Sequence, residues 1–496
     1  MGKNTGLDLI KPPPLVIARN GASGAGRLTG DQRPGTIEFL APVFVLDPVK
    51  EAQRHAIRDI RADRARGSRL SAMVSPVISR RRAAGLGLLF GALAFCQGVA
   101  EPSDGLISQP SRSLLKRWGH GPADLGAFSM GVGLVWVLKP AFGLLTDFVP
   151  LFGRRRRNYL ILAGALAAVS MLGPAILPPP SSPSTRFAWL LGWLAAATVA
   201  WSFADVVADA LLIDRGRASG LVGRFQAAQW AAAYLAGIVA GFGGGWLSER
   251  SREPLGFAIC GLAATGTMLL AMFAVREPRV PSPSPPTGGV FRTWASAARS
   301  PRLLGAGAFL FLWNFNPFSS DVFYLHATST LGLDEEFYGT TQSVMAVGSI
   351  LGCVAYPALA RRFAPPSLVR LSIVLGVAST LAFAGVSGRG SAIAASLVIG
   401  IIYMIATLIQ LDLAAVACPP EAAGTCFALL MALENLASSL ASGLGGWAYA
   451  EGYGRWGPST AFSLLVLIGA TTTASSWLLL PGLTRLDAEA RRPPSR

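Results

Sequence analysis

The apolar stretch YLILAGALAAVSMLGPAILPPP, from Tyr159 to Pro180, decides the fold because it contains no charged side chain. A second such stretch, FAWLLGWLAAATVAW, begins shortly afterwards at Phe187. Core segments of soluble proteins are shorter or more regularly interrupted by polar residues, whereas about 20 consecutive apolar residues are typical of a helix that crosses a bilayer. The sequence therefore predicts a helical membrane protein and argues against a soluble enzyme.

The composition of the whole chain agrees with this interpretation. Of its 496 residues, 52% are hydrophobic and 14% are charged, against about 25% charged residues in a soluble domain. The net charge of +16 does not predict nucleic-acid binding, because the basic residues lie between apolar segments, where they set membrane topology. The cysteines are odd in number and form no CxxC pair, so neither a disulfide framework nor a zinc site is expected.

Twelve segments are long and apolar enough to span a membrane. We place these spans at residues 84–108, 124–146, 158–178, 187–212, 223–247, 255–275, 303–326, 338–360, 368–387, 391–415, 423–449 and 459–481. A linker rich in Pro and Ser separates the first six spans from the last six. The predicted organisation is a disordered basic cytosolic tail (1–82), a six-helix bundle (83–275), the cytosolic linker (276–302), a second six-helix bundle (303–484) and a cytosolic tail (485–496).

Lysine and arginine are unevenly distributed between the two sides of these spans. The side that holds both termini carries Arg80–Arg82 and the run Arg154–Arg157. Fewer basic residues, among them Arg112 and Lys116, lie on the other side. Because cytoplasmic loops are enriched in Lys and Arg, we expect both termini to be cytosolic.

A short motif repeats between the two halves of the chain. Gly244-Gly245-Trp246, near the end of span 5, recurs as Gly445-Gly446-Trp447 near the end of span 11. Two parallel six-span repeats with a solute site between them form the plan of major facilitator transporters. We therefore predict an all-α membrane protein of this fold, with two pseudo-symmetric bundles.

Ionisable side chains within spans are costly unless they are paired or hydrated, so they are candidate functional residues. Glu101 and Asp104, three apart on one face of span 1, and Asp321 of span 7 would meet in the outer part of a central cavity. These residues would bind a cation or proton, or select solutes by charge. Alternatively, the segment after residue 101 already lies in a solvated outer loop.

A second group of charges lies in spans 2, 4 and 11. Lys139 and Asp205 are expected at similar depth, with Asp209 four residues further on the same helix face, and Glu434 is the deepest acid of the second half. A Lys139–Asp205 contact would offset much of the cost of burial. It would be either a structural ion pair or part of a solute site, and for Glu434 we favour a side chain that faces the cavity.

The loop between spans 2 and 3 combines Asp147 with Arg154–Arg157. In major facilitators such loops form cytoplasmic charge contacts that hold the outward-open state, although plain topological anchoring explains part of the arginine run. No nucleotide-binding or hydrolytic motif appears, so we expect no enzyme activity, no cofactor and no metal site, and a gradient as the energy source.

Five stretches are similar in order and spacing to motifs of a known family. They are QGV at Gln97–Val99, WVLKPAFGLLTDFVPLFGRRRRNYL from Trp136, ADVVADALLIDRGR from Ala204, NPFSSDVFYLHATSTLGLDEEFYG from Asn316 and CPPEAAGTCFALLMALENLASSLASGLGG from Cys418. Over most of residues 84–450 the chain thereby resembles the folate–biopterin transporter family, a branch of the major facilitator superfamily. The resemblance implies transport of folates or reduced pterins coupled to protons.

The same resemblance identifies charged residues that this chain shares with the family and positions at which it differs from the family. Charged residues of the family are matched by Lys139, Asp147, Asp205, Asp209, Asp214, Arg215, Arg217 and Asp321. Glu101 and Asp104 stand where neutral residues are expected, and two extra acids would repel an anionic folate unless they are protonated or paired. Glu434 is a similar departure.

The leading hypothesis is a secondary active transporter that works by alternating access. Its candidate solute-binding residues are Lys139, Asp205, Asp209, Asp321, Glu101, Asp104, Glu434 and Gln97. The coupling proton is assigned to Asp209, Asp205 or Asp321. Gating is assigned to Asp147, Arg154, Arg155, Arg156, Arg157, Asp214, Arg215 and Arg217, and ring stacking to Trp136, Trp201, Trp230 or Trp313.

The predicted partners are a small heteroaromatic solute, protons and the lipid bilayer of a plasma or organellar membrane, with the chain acting as a monomer. Two alternatives stay open. The same scaffold would suit a cationic or nucleoside-like metabolite or a drug, and the extra acids of span 1 favour a cation. A membrane sensor without transport activity is the other, although intramembrane charges on several spans favour an aqueous route.

Overall fold

The computed structural model describes residues 79–279, 299–419 and 423–483. Within these ranges the regular secondary structure is helical, apart from an isolated bridge between Leu151 and Arg154. The predicted tails up to residue 78 and from residue 485, and residues 280–298 of the predicted linker, lie outside the described residues. We call residues 80–279 the first half and residues 299–483 the second half.

The first half consists of eight α-helices. They are α1 (Arg80–Ala100), α2 (Ser108–Arg117), α3 (Pro122–Gly133), α4 (Lys139–Phe148), α5 (Arg157–Ile176), α6 (Pro183–Ser219), α7 (Val222–Glu249) and α8 (Glu253–Phe273). A 3-10 turn, Leu134–Leu138, joins α3 to α4, and together they form span 2.

The second half consists of seven α-helices within the described ranges. They are α9 (Pro301–Asn314), α10 (Ser320–Leu325), α11 (Glu335–Arg362), α12 (Pro365–Ala382), α13 (Arg389–Ala417), α14 (Ala423–Trp456) and α15 (Pro458–Ser475). A π-helical turn, His326–Thr330, extends α10. Short 3-10 turns follow α12 and α15, at Phe383–Gly385 and Ser476–Leu479.

Local signals in the sequence explain several helix starts. Proline occupies the first helical turn of α3, α6, α9, α12 and α15, where its missing N–H would have no intrahelical partner. Asp334 caps α11 by accepting a hydrogen bond of 2.6 Å from the Phe337 N–H. These signals place the ends of the apolar runs and thereby the loops between spans.

Eleven helical segments of the described chain are long and apolar enough to cross a membrane. The predicted seventh span is the exception, because it is divided between α9 and α10. Pro317 explains the division: it cannot continue α9, and the Asn316 side chain satisfies the Phe318 N–H across the break, at 3.0 Å. A Cβ at Gly445 of α14 would collide with the Pro317 carbonyl oxygen, so a glycine is needed where α14 lies against this break.

The predicted first span is also interrupted, and the expectation that Glu101 and Asp104 share a helix face is wrong. Helix α1 ends at Ala100, and Glu101 adopts an extended conformation. Pro102 is the physical reason, because it disfavours a helical conformation in the residue before it. The Glu101 carboxylate instead accepts hydrogen bonds from the N–H groups of Ser103, at 2.9 Å, and Asp104, at 2.8 Å.

The two halves meet through glycine contacts at one end of the bundle. We call the end at which α1 begins the inner end and the opposite one the outer end. Near the outer end, a Cβ on Gly339 of α11 would lie 2.7 Å from the Gly245 Cα of α7, and a Cβ on Gly126 of α3 would lie 2.8 Å from the Gly446 Cα of α14. The repeated GGW motifs thus supply one glycine to each of the two crossings, as expected for pseudo-symmetric halves.

The outer surface of the bundle is apolar, as a lipid environment requires. Large apolar side chains such as Leu88, Val169, Leu262, Phe273 and Leu478 are strongly exposed on the spans. An exposed apolar surface of this extent would be unfavourable in water but suits the hydrocarbon core of a bilayer. The chain is therefore an integral, multi-pass membrane protein, as the sequence predicted.

Candidate functional site

A cavity of about 1610 Å³ lies between the two halves. Its wall extends from Gln109 and Arg112, near the outer end, to Asp147, Asp214 and Thr425, near the inner end. This volume exceeds that of typical pockets for drug-sized ligands, which measure about 300–1,000 Å³. Because the glycine crossings join the halves at the outer end, the cavity opens towards the inner end.

Charge is unevenly divided between the two walls of this cavity. Within the described ranges, every charged residue of the wall comes from the first half: Glu101, Asp104, Arg112, Lys139, Asp147, Arg156, Asp205, Asp209, Asp214 and Arg217. The second half contributes neutral side chains, among them Asn316, Gln342, Tyr403, Met404 and Thr425. Groups that bind ions or protons from the cavity therefore lie on one side of it.

Lys139 and Asp205 form an ion pair in the middle of the charged wall, as their predicted depths indicated. The Lys139 Nζ lies 2.6 Å from an Asp205 carboxylate oxygen, and the Gln97 amide donates a hydrogen bond of 2.8 Å to the other oxygen. The Lys139 ammonium also lies 4.5 Å from the ring centre of Trp136, which is a cation–π contact. All four side chains line the cavity, so a solute reaches this pair directly.

Asp209 lies one helical turn beyond Asp205 on α6, but its partner is different. Its carboxylate accepts a hydrogen bond of 2.8 Å from the Gln229 amide of α7 and forms no ion pair with any residue that the structure describes. The side chain is exposed to the cavity. A carboxylate held by a neutral amide beside a second carboxylate is a suitable proton acceptor, because protonation relieves the repulsion between them.

Glu101 and Asp104 extend the acidic surface towards the outer end. Glu101 is buried behind its two backbone hydrogen bonds, whereas Asp104 is exposed to the cavity. Neither forms an ion pair within the described part of the chain. With Asp209, they give the cavity three carboxylates that form no ion pair with a described residue.

Asp321 does not line the cavity, contrary to expectation. It is buried, with 2% of its surface exposed, and binds Arg112 of α2 at 2.6 Å and the Ser129 hydroxyl of α3 at 3.0 Å. Arg112, predicted as an ordinary loop residue, is thus part of a contact between the halves. Asp321 lies in this contact, and the structure does not bring it together with Asp205 or Asp209.

Further polar contacts join the halves beside this ion pair. Glu335 of α11 accepts hydrogen bonds from Gln109, at 3.0 Å, and from Tyr324, at 2.6 Å, and lies 3.6 Å from Lys116. At the surface, Arg250 pairs with Glu336 at 2.7 Å. We call this set the outer lock: Gln109, Arg112, Lys116, Ser129 and Arg250 of the first half with Asp321, Glu335 and Glu336 of the second.

Glu434 is not among the side chains that line the cavity, but it lies close enough to interact electrostatically with Lys139 and Tyr403 of the cavity wall, so its orientation towards the cavity stays a prediction. It is half-buried on α14 and makes no hydrogen bond or ion pair with a described residue. Of the four tryptophans considered for stacking, Trp136, Trp230 and Trp313 line the cavity. Trp201 is 1% exposed and belongs to the core of the first half.

The predicted gating residues cluster at the inner end of the first half. Arg156 pairs with Asp147 at 2.7 Å and lies 3.7 Å from Asp214. Glu277 accepts hydrogen bonds from the backbone N–H groups of Arg155, at 3.0 Å, and of Arg156 and Arg157, at 3.0 and 2.8 Å.

The remaining gating candidates also stay within this half. Arg154 donates to the Glu277 carbonyl at 3.2 Å, Arg215 donates to the Arg276 carbonyl, and Arg217 is exposed in the cavity wall. Within the described ranges none of these residues forms a hydrogen bond or ion pair with the second half, in agreement with a cavity that is open at the inner end.

The match to a family model decides which family these features represent. The model of the BT1 family matches residues 97–486, which is most of the chain. The chain belongs to the BT1 family. Among its curated relatives, a folate-biopterin transporter of Synechocystis sp. is 29% identical over 393 residues, which cover 75% of this chain and 76% of the relative. A probable folate-biopterin transporter 5 of Arabidopsis thaliana is 26% identical over 372 residues, which cover 66% of this chain and 68% of the relative.

Solved structures show the fold of this BT1-family chain. The nucleoside transporter NupG aligns with a TM-score of 0.62 at 14% identity and covers 79% of this chain and 98% of its own. A D-xylose-proton symporter aligns with a TM-score of 0.61 at 13% identity, and the alignment covers 82% of this chain and 99% of the symporter. The major facilitator fold predicted from the sequence is thereby confirmed. The family and its curated relatives, which are transporters, identify the chain as a membrane transporter rather than an enzyme.

Several residues of this BT1-family site were missed by the sequence analysis. Gln229 and Tyr403 lie in apolar runs, where a single polar atom gives little signal, and Arg112 and Gln109 follow the apolar part of span 1. Glu277 is the second residue of the predicted linker, and its position close to the end of span 6 was the available signal that it faces the arginine loop.

Proposed function

We propose that this chain is a secondary active transporter that moves a folate- or pterin-like solute together with a proton by alternating access. The observation that carries the proposal is the Lys139–Asp205 ion pair inside the cavity, with Asp209 one helical turn away. The names of its relatives, which are folate-biopterin transporters, support the class of solute. The cavity volume is ample for a pterin ring with an attached side chain.

Lys139 would bind the carboxylate of the solute. In this structure its ammonium is engaged by Asp205, and the carboxylates nearby make the region unfavourable for an anion. Protonation of Asp209 or Asp205 removes negative charge and frees the lysine for the solute. Proton and anionic solute therefore favour each other's binding, and this reciprocal effect couples their transport.

Alternating access would exchange closure at the outer end for closure at the inner end. The outer lock and the two glycine crossings hold the present arrangement. When they separate, Arg156, Asp147 and Arg217 at the inner mouth are available to meet the second half. We further propose that the termini face the cytosol and that the monomer is the transporting unit.

Uptake by the purified protein in liposomes tests this function. Labelled folate is offered with and without a pH gradient that is acidic on the side of the folate. We expect the gradient to accelerate uptake and excess unlabelled folate to abolish it. Absence of specific folate uptake would contradict the proposed solute. A folate uptake rate that is the same with and without the pH gradient would contradict proton coupling.

A cationic solute is a second candidate, because Glu101, Asp104 and Asp209 are carboxylates that form no ion pair with a described residue. Such a set would attract a positively charged metabolite. Competition distinguishes the two candidates in the same liposomes. S-adenosylmethionine would then bind and be transported, and folate in excess would leave its uptake unchanged.

A further inference from the structure

Two large aromatic side chains stand exposed in the cavity wall, one from each half. Trp230 of α7 is 40% exposed and Tyr403 of α13 is 46% exposed. The other large apolar and aromatic residues of this wall, within the described ranges, are more deeply covered. Each half of the chain thereby presents one exposed aromatic side chain to the cavity.

Residues next to these two side chains contact each other across the cleft. Trp230 stacks on Tyr234, with ring centres 6.0 Å apart and 29° between the planes. The Tyr234 hydroxyl in turn donates to the sulfur of Met404, at 3.1 Å, and Met404 follows Tyr403 in α13. Trp230 and Tyr403 are therefore held at the level of the cavity at which the halves are in contact.

Each aromatic residue is also fixed relative to other parts of the site. Trp230 follows Gln229, whose amide binds Asp209, so it lies beside the proposed proton acceptor. The ring of Tyr403 lies 6.1 Å from that of Trp313, which is almost fully buried. A rigid, amphipathic aromatic side chain on a packed helix loses little conformational freedom when a ring stacks on it.

We infer that Trp230 and Tyr403 form an aromatic clamp that holds the planar ring of the solute between the two halves, with Tyr403 as a specificity-determining residue. This inference rests on the proposed transport of a heteroaromatic solute. The charged wall of the first half then recognises the ionic part of the solute, and the clamp recognises its flat ring. Because one side of the clamp belongs to each half, a bound ring also ties the halves together.

Equilibrium binding to the purified full-length protein tests the clamp. Labelled folate is displaced by 6-hydroxymethylpterin, which has only the ring system, or by p-aminobenzoylglutamate, which lacks the pterin. We expect Tyr403→Leu to lower the affinity for the pterin about tenfold and the affinity for p-aminobenzoylglutamate less than twofold. Tyr403→Phe should bind both competitors like the wild type. Trp230→Leu should give the same selective loss.

The matched control is Tyr453→Leu, because Tyr453 is similarly exposed, at 48%, but lies outside the cavity wall. It should leave both competitors unchanged. Equal weakening of pterin and p-aminobenzoylglutamate in Tyr403→Leu, or no weakening of either, overturns the clamp.

Failure of the clamp is distinguishable from failure of the proposed solute. If the wild type does not bind folate, thermal stabilisation is measured with adenosine as a planar probe and xylose as a non-planar one. Stabilisation by adenosine that disappears in Tyr403→Leu supports the clamp and rejects folate. Stabilisation by xylose alone, or by neither probe, overturns both.

Discussion

Replacement of Gly339 by alanine should shift the protein away from the arrangement described above. Gly339 of α11 faces Gly245 of α7 at the outer crossing between the halves. An added Cβ would lie 2.7 Å from the Gly245 Cα and 2.8 Å from the Gly245 N, and would also collide with the Gly241 carbonyl. All of these atoms belong to the backbone, so no side-chain rotation relieves the clash.

The size of the effect follows from the cost of overpacking. Inserting a methyl group into a close-packed contact costs about 1–3 kcal/mol. If the outer crossing separates during transport, this cost falls on the outer-closed state alone. The ratio of outer-closed to outer-open molecules should then fall by about 5- to 150-fold.

Spin labels at the inner mouth measure this ratio. Cysteines at Gly223 and Gly424, in a background without the native cysteines, place one label on each half, and a Cβ at either position meets no atom within 4 Å. We expect Gly339→Ala to shorten the distance between the labels because the inner mouth closes. Gly237→Ala is the matched control, since its Cβ would meet only the Ala346 Cβ of the same helix pair, at 3.6 Å. An unchanged distance in Gly339→Ala, or equal shifts in both variants, would refute the alternating role of this crossing.

Three further predictions concern charged residues. Lys139→Gln should lower the free energy of unfolding by about 1–3 kcal/mol because it leaves the half-buried Asp205 without its cation, and Asp205→Asn added to it should restore thermal stability but not folate uptake. Arg112→Gln should cost the outer-closed state about 3–5 kcal/mol, because Asp321 is buried, and the inner-mouth labels should report closure that Asp321→Asn partly reverses. Glu277→Ala should lower stability in thermal unfolding by about 1–2 kcal/mol because backbone N–H groups of the arginine loop lose their acceptor.

The spans and the central ion pair were predictable from the sequence for simple physical reasons. Lipid requires long apolar runs with satisfied backbone groups, so the helices follow from run length. The Lys139–Asp205 contact was predictable because a count of residues from the same membrane surface, at 1.5 Å per residue of helix, gives both side chains a similar depth. The repeated GGW motif likewise indicated two related halves, although not that its glycines join these halves at the outer end.

The orientation of Asp321 was not predictable in the same way. Spans that are apolar on all sides have no periodic pattern that tells the cavity face from the packed face. Asp321 was therefore placed in the cavity by depth alone, whereas it pairs with Arg112 from a distant part of the sequence. The break at Glu101 had a local signal, Pro102, that outweighs the apolar run around it.

The claim at the centre of this account is that the charged wall of the first half moves a proton together with the solute. The most direct measurement is the pH inside liposomes, followed with a trapped pH dye while an inward folate gradient is imposed without any pH gradient. The wild type should acidify the lumen as folate enters. Asp209→Asn should exchange folate across the membrane without acidification. Two results would contradict proton coupling through this wall. One is that Asp209→Asn acidifies the lumen as much per folate transported as the wild type does. The other is that the wild type takes up folate without acidifying the lumen.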